Sequence, residues 1–386
     1  MQKIKMGILG VGNMGGEHLK SLLNGSVPEI EATAVADINP ARLKWARELA
    51  GENLPCFDSA EAMLEGARLD ALLIAVPHYD HPRFAIEALR RGLHVMTEKP
   101  AGVFTRQVRE MNEAAARSGR VFGIMYNQRT NHIYRKMREL VQGGGLGRLR
   151  RVNWVITNWF RSQAYYDSGA WRATWSGEGG GVLLNQCPHN LDLLQWICGM
   201  PEKVYASMRF GQWHDIEVED DVSALLTFPG GVSGVFVTST GDYPGSNRFE
   251  LTLDRGKLVA EENKLTLWEL DESIAAFNAH NDVPFNTPGL KELTPDTDGL
   301  SEQHVGILNN FAAAVLRGAP LLAPGGEGIN GLTLSNAMHL SSWLGKEIAL
   351  PLDEALYEAE LMRRVAGSKR KEANSVFVDP SSSYNN

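Results

Sequence analysis

Apolar and polar positions follow two different rhythms along this chain. Up to about residue 125, short continuous apolar runs such as Gly-Ile-Leu-Gly-Val and Ala-Leu-Leu-Ile-Ala-Val alternate with stretches of helical periodicity. The runs predict strands at Lys3–Leu9, Ile30–Ala36, Pro55–Phe57, Ala71–Val76, His94–Met96 and Val121–Met125. The stretches between them predict helices over Met14–Leu23, Pro40–Ala50, Ala60–Leu64, Pro82–Arg91 and Arg106–Ser118. A run without polar interruption is buried on both faces. Strands and helices in alternation therefore predict an α/β domain, a doubly wound parallel sheet with helices on both sides.

After Tyr126 the rhythm changes. A helix over Ile133–Gln142 leads into Arg151–Phe160, which alternates as a half-buried strand does. An irregular aromatic stretch runs to Gly181, and a helix is expected over Val182–Cys198. Strand-like runs follow at Lys203–Phe210, Val222–Phe228, Gly234–Thr240, Arg248–Asp254, Lys257–Glu261 and Leu265–Trp268. Turn signals such as Pro229-Gly230-Gly231 and Asp254-Arg255-Gly256 separate them. Consecutive strands with short turns predict a large, mainly antiparallel sheet with one face covered by helices. Residues 270–299 read as a long loop, and Glu302–Leu316 and Gly326–Leu344 as helices. The expected domains are residues 1–125 and 126–365, followed by a polar tail over 366–386.

Composition narrows the classes. A chain of 386 residues has length for two domains and needs no disulfide or metal staple. The net charge of −8 argues against a nucleic-acid or anionic-membrane partner. The N-terminal apolar run is too short and glycine-rich for a signal peptide, and no stretch reaches the roughly 18 apolar residues of a membrane span. A cytoplasmic protein is expected. The three cysteines, Cys56, Cys187 and Cys198, lack a CxxC spacing and read as reduced structural thiols. A nucleophilic Cys187 is the alternative, because it sits inside a motif. No His, Cys and Asp cluster has ligand spacing, so no metal is expected.

Chemistry enters with Gly10, Gly12 and Gly15, a GxGxxG set between a strand and a helix. Such glycines allow a tight turn, backbone approach to a pyrophosphate, and close helix–strand packing. The helix N-terminus then offers free N–H groups to the phosphates. Asn13 and Met14 belong to the same turn. Asp37 ends the second strand about 20 residues past the last glycine, where a carboxylate binds the ribose hydroxyls of NAD and repels the 2′-phosphate of NADP. No Arg or Lys follows it immediately. The structural alternative is that Asp37 only caps the helix beginning near Pro40.

Glu98-Lys99-Pro100 follows the fifth strand. Ligands of open parallel sheets bind outside the carboxyl ends of the strands, so Lys99 stands where a substrate proton can be taken. Burial would lower its pKa toward a useful range. In Glu178–Asp192, glycines open the expected helix, and Asn185, His189 and Asp192 fall on one face of it. Pro188 would then disturb that helix. His189 can take a proton near neutral pH, with Asn185 or Asp192 orienting its ring. The structural alternative is a core histidine bonded to Asp192.

The glycine fingerprint, Glu98-Lys99-Pro100 and Gly179-Gly180-Gly181…His189-x-x-Asp192 together resemble the glucose–fructose oxidoreductase / inositol dehydrogenase (Gfo/Idh/MocA) family over roughly residues 1–365. The resemblance implies an N-terminal Rossmann domain, and a C-terminal α+β domain whose open sheet walls the site and mediates oligomerisation, as a dimer or tetramer. It implies that Lys99 and His189 flank the reacting hydroxyl, and that Val76, Pro77, His78, His81, Glu98 and Asn127 join the cofactor set with Ile38. Tyr126, Gln128 and Arg129, at the cofactor–substrate junction, and Trp159, Arg161, Trp171, Arg172 and Asn185 are the expected substrate contacts, because sugar faces stack on aromatic rings while hydroxyls need fixed polar partners. Many relatives carry an aspartate where this chain has Asn185, which removes an ionisable Asp–His relay. The activity implied is NAD-dependent oxidation of a sugar or polyol hydroxyl. The alternatives are redox-neutral glycoside cleavage through transient oxidation and a non-catalytic NAD-responsive protein.

Overall fold

The continuous apolar runs build the first sheet. In the computed structural model, which describes residues 3–369, they form β1 (Ile4–Leu9), β2 (Ile30–Ala36), β3 (Cys56–Phe57), β4 (Ala71–Ile74), β5 (His94–Thr97) and β6 (Phe122–Ile124). All pair in parallel in the order β3-β2-β1-β4-β5-β6. The helices between them are α1 (Asn13–Leu23), α2 (Pro40–Ala50), α3 (Ala60–Gly66), α4 (His81–Arg90) and α5 (Thr105–Ser118). The order reverses between β1 and β4, and ligands of such sheets bind at that reversal. The β1–α1 turn needs its glycines. Gly10 has φ +85°, and a Cβ on Gly15 would lie 1.8 Å from the Gly10 carbonyl oxygen.

The second sheet has nine strands. In chain order the elements are α6 (His132–Gln142), β7 (Leu149–Ile156), α7 (Gln163–Asp167), α8 (Pro188–Cys198), β8 (Lys203–Phe210), β9 (Glu219–Phe228), β10 (Val232–Ser239), β11 (Asn247–Leu253), β12 (Gly256–Glu261), β13 (Lys264–Leu270), α9 (Ile274–His280), β14 (Leu290–Leu293), α10 (Gln303–Arg317), α11 (Gly328–Leu344), β15 (Ile348–Ala349) and α12 (Glu354–Ala366). The strand order is β14-β13-β12-β11-β7-β10-β9-β8-β15. Only β7 and β10 pair in parallel, because the long segment carrying α8 intervenes between them. Alternation buries Val152, Trp154, Ile156, Ala224, Leu226, Phe236 and Phe249 on one face, and α6 and α11 pack on the sheet at β12–β13 and at β8. Trp154 stacks on Phe249 with centroids 3.9 Å apart.

The expected long helix over Val182–Cys198 is shorter. Residues 182–187 form turns, and α8 starts at Pro188. Proline lacks the N–H that an interior position needs and fits the first turn, where no such bond is required. The Glu219 carboxylate holds the preceding turns, accepting from Gly181 N (2.8 Å) and Leu183 N (3.0 Å). Asn185, His189 and Asp192 therefore do not share one helix face. Strand β7 ends at Ile156 rather than Phe160, and residues 270–299 hold α9 and edge strand β14. Helix α12, absent from the periodicity reading, folds back on α5 through Arg106–Glu358 (2.5 Å) and Arg109–Glu354 (2.6 Å). The expected tail lies mostly outside the described residues.

Arg129, expected to contact substrate, is fully buried instead. It pairs bidentately with Asp192 (2.6 and 2.8 Å) and reaches Glu327 (2.6 Å) and the Leu322 carbonyl (3.0 Å). Asp192 is thereby spent on Arg129 and orients no part of His189. Removing one partner of a buried pair strands the other charge. Arg129→Met is expected to cost about 3–5 kcal/mol in urea unfolding. A variant of unchanged stability with a raised substrate KM would return Arg129 to the binding role.

Candidate active site

A cleft of about 1290 Å³ runs from the β1–α1 turn, across the carboxyl end of the first sheet, to the β7–α8 segment of the second domain. Gly10, Gly12, Asn13, Met14, Asp37, Ile38, Val76, Pro77, His78, His81, Glu98 and Lys99 all line it. A Cβ built on Gly12 meets nothing within 4 Å, so the turn leaves open space where the backbone must approach a phosphate. Gly15 does not line the cleft; it is the packing glycine described above. Asp37 accepts from Val11 N (2.9 Å) and Asn39 N (2.8 Å), and each oxygen keeps a lone pair for a ligand. The cap of α2 is Asn39, which accepts from Ala41 N, so capping does not explain Asp37. The set fits NAD: a glycine turn at a helix N-terminus with a carboxylate at the end of β2.

One basic group reaches this half of the cleft that adjacency in sequence did not reveal. Arg42, in the first turn of α2, donates to Asn13 Oδ1 (3.2 Å) and feels the Asp37 charge.

Lys99 extends from the end of β5, and its Nζ donates to the main-chain carbonyl of Asn185 at 2.8 Å. That carbonyl is available because the chain turns before α8 instead of continuing a helix. Burial lowers the Lys99 pKa from 10.5. Glu98 and Glu178 oppose the shift, and Arg172 and Arg161 add to it. Beneath it, Glu98 meets His18 Nε2 at 2.6 Å and accepts from Lys99 N at 3.1 Å. Burial alone would raise the Glu98 carboxyl; His18, His304 and Lys99 outweigh it and hold it down at about 2.

His189 stands second in α8, and it is 4 % exposed. Neither ring nitrogen has a hydrogen-bond partner within the protein, and the ring lines the cleft with Lys99. Burial, then the charges of Lys99 and His304, hold its pKa well below 6.5, so it is neutral. The structural alternative of a core histidine bonded to Asp192 is not what forms.

Asn185 lines the cleft, but its amide is occupied. Nδ2 donates to the Glu178 carboxylate, and Oδ1 accepts from Tyr165 Oη (3.1 Å) and Gln186 Nε2 (3.2 Å). Glu178 also takes Ala173 N–H at 2.6 Å, and burial raises its pKa. Glu178 opens the glycine motif in sequence, yet only its contacts assign it the role of holding Asn185.

Trp159, Arg161, Trp171 and Arg172 form the far wall, with Tyr165 and Gln186 among them. His78 faces Trp171 edge-on at 5.6 Å. His81 has both nitrogens on main-chain carbonyls, Pro100 and Val76, each at 2.7 Å. Tyr126, Asn127 and Gln128 stay outside the lining. Tyr126 is buried against Arg129 and His189, while Asn127 and Gln128 both donate to Gln303 Oε1 (2.8 and 3.1 Å). Cys187 is buried against Thr238 and its thiol is pushed up to about 12 by burial, which overturns the nucleophile reading. All three cysteines are free thiols. No described helix is long and apolar enough to cross a membrane.

The glycine geometry separates fold from binding. Gly12→Ala is expected to keep Tm within about 3 °C while weakening NAD binding about tenfold or more. Gly15→Ala is expected to unfold the domain, because its Cβ meets backbone. Thermal melts and NAD titration check both.

Two family models match the chain: an oxidoreductase family with an NAD-binding Rossmann fold at residues 4–126, and the GFO/IDH/MocA C-terminal domain at 134–259. The rhizopine catabolism protein MocA of Rhizobium meliloti is 30% identical over 52% of this chain and 58% of its own length. Trans-1,2-dihydrobenzene-1,2-diol dehydrogenase of Mus musculus is 32% identical over 61% of this chain and 68% of its own. The chain thus spans 58% and 68% of the length of these two relatives. The WlbA dehydrogenase of Bordetella pertussis, crystallised with NADH and UDP-GlcNAcA, superposes with TM-score 0.78 at 27% identity, covering 92% of this chain and 99% of that one. Glycine cradle, Lys99 and His189 sit in one cleft between two domains that these models each match, and the chain belongs to the GFO/IDH/MocA oxidoreductase family.

Proposed function

We propose that this protein oxidises a secondary hydroxyl of a sugar, anhydrosugar or inositol-type polyol to the ketone, with NAD as oxidant. The observation that carries the reading is one cleft holding the Gly12–Asp37 cradle, the Lys99 amine and a neutral His189 with both nitrogens unpartnered. The sugar-nucleotide ligand of the WlbA relative supports the carbohydrate class.

NAD, when bound, supplies the hydride acceptor. The chain must handle the hydroxyl proton. Lys99, once neutral, has a lone pair for that proton, and the Asn185 carbonyl holds its Nζ in place. His189 accepts or donates one hydrogen bond at the same hydroxyl, and its low pKa makes it a weak competitor for the proton. Asn185, clamped by Glu178 and Tyr165, positions Lys99 and is not itself an acid or base. The aromatic wall stacks on the ring and keeps water from the reacting carbon. The less covered face of the second sheet, where Tyr205 and Leu225 are exposed, supports self-association through that face.

Lys99→Met and His189→Asn are each expected to lower kcat by about 10²–10⁴ with NAD affinity within about threefold. Wild-type turnover in both would remove the mechanism. NADH accumulating over many turnovers distinguishes net oxidation from redox-neutral glycoside cleavage.

The direction of the Lys99 shift sets the pH dependence. The base form gains as pH rises, so kcat/KM for oxidation climbs to a plateau whose midpoint lies below 10.5. Lys99→Met is expected to erase that limb in a pH–rate profile; a limb that survives belongs to another group.

A further inference from the structure

The wall beyond Lys99 carries more positive charge than oxidation of a neutral hydroxyl requires. Arg161 and Arg172 both line the cleft, on the segment between β7 and α8. Arg161 is only 9 % exposed. It donates to the Phe160 carbonyl (2.8 Å) and lies over the rings of Trp159 and Tyr165, 5.5 and 5.3 Å from their centroids. Arg172 donates to Tyr165 Oη (2.9 Å) and lies over Tyr165 and Trp171, at 4.6 and 4.7 Å. Among the described residues, no carboxylate forms an ion pair with Arg172.

The buried acid whose charge Arg172 feels is Glu178, and its oxygens are taken by Ala173 N and Asn185 Nδ2. Aromatic faces and a hydroxyl hold a guanidinium without neutralising it. Arg172 is half-buried at the cleft and makes no direct ion pair, so its remaining N–H groups are open to a bound anion. The planar fork of a guanidinium matches a carboxylate or phosphate. The loop is shaped in advance. Ala173, next to Arg172, has φ +53°, unusual for a residue with a Cβ, and Glu178 holds it there. The field of both arginines reaches the reacting centre, since each lowers the proton affinity of Lys99.

We propose that the substrate is an anionic carbohydrate, a polyol whose carboxylate or phosphate docks on Arg172 with Arg161 as second cation, while a hydroxyl faces Lys99 and His189. The proposal rests on the oxidation reading and names its substrate class. The phosphates of a dinucleotide have their own place at the glycine turn of the first domain, whereas the arginines belong to the second.

Glucose and galactose, each beside its uronate, and glucose 6-phosphate make the panel. Initial rates of NADH formation are measured with the full chain, and binding is measured by calorimetry with the chain saturated with NADH. At least one anion is expected to exceed its neutral parent by about tenfold in kcat/KM and in affinity. Arg172→Gln is expected to cut that ratio about tenfold, with NAD affinity measured alongside to exclude a cofactor effect. The uronate and phosphate arms tell which anion is meant. An anion that binds preferentially without forming NADH would keep the anion site and overturn the oxidation reading. Anions that bind no better than their parents, or a ratio unmoved by Arg172→Gln, would overturn the anion site and leave the oxidation reading standing.

Discussion

A hydrogen bond joins the two halves of this protein in the cleft: Lys99 Nζ to the carbonyl of Asn185. The donor comes from the end of a parallel strand, and the acceptor from a turn that a proline keeps from becoming helix. Each end needs the other. Without the carbonyl, a half-buried ammonium would face a cleft with no fixed partner, at a desolvation cost. Without the lysine, a main-chain acceptor before α8 would be left open. The bond fixes where the Lys99 amine stands in the cleft.

Three buried carboxylates lie around that junction, and each is satisfied differently. Asp192 takes the guanidinium of Arg129. Glu219 takes main-chain N–H groups of the pre-helical turn. Glu178 takes the Asn185 amide and the Ala173 N–H. Buried charges persist only when such partners satisfy them. With these acids committed to the framework, and Glu98 committed to His18, the cleft wall itself is left cationic and aromatic. Asp192 is paired with Arg129 and leaves the His189 nitrogens open, while burial keeps that ring neutral.

Much of the fold was legible because periodicity reports burial directly. The strands of the first sheet read from unbroken apolar runs, and those of the second from alternation around residues such as Val152, Trp154 and Ile156. Gly10, Gly12, Asp37, Lys99 and His189 stood out by motif position, and the structure brings all five to one cleft. The start of α8 was misread, because Val182, Leu183 and Leu184 lead straight into the helix in sequence, whereas the N–H groups of Gly181 and Leu183 go to Glu219 on a distant strand. Helix α12 was missed because it buries only Tyr357 and Leu361, and its place is set by Trp343 of α11 and by the α5 arginines, both remote in sequence.

What the sequence determined by itself is what depends on neighbours along the chain: strand and helix identity, and the glycine turn of a dinucleotide-binding sheet. What only the tertiary structure decided is which polar groups satisfy one another. Arg129 became framework and Arg172 became cleft wall, although both were plain arginines near a site motif. The difference lies in desolvation: a charge is held by whichever partner burial brings within hydrogen-bond reach, and that partner is Asp192, 63 residues away, for one and no carboxylate for the other.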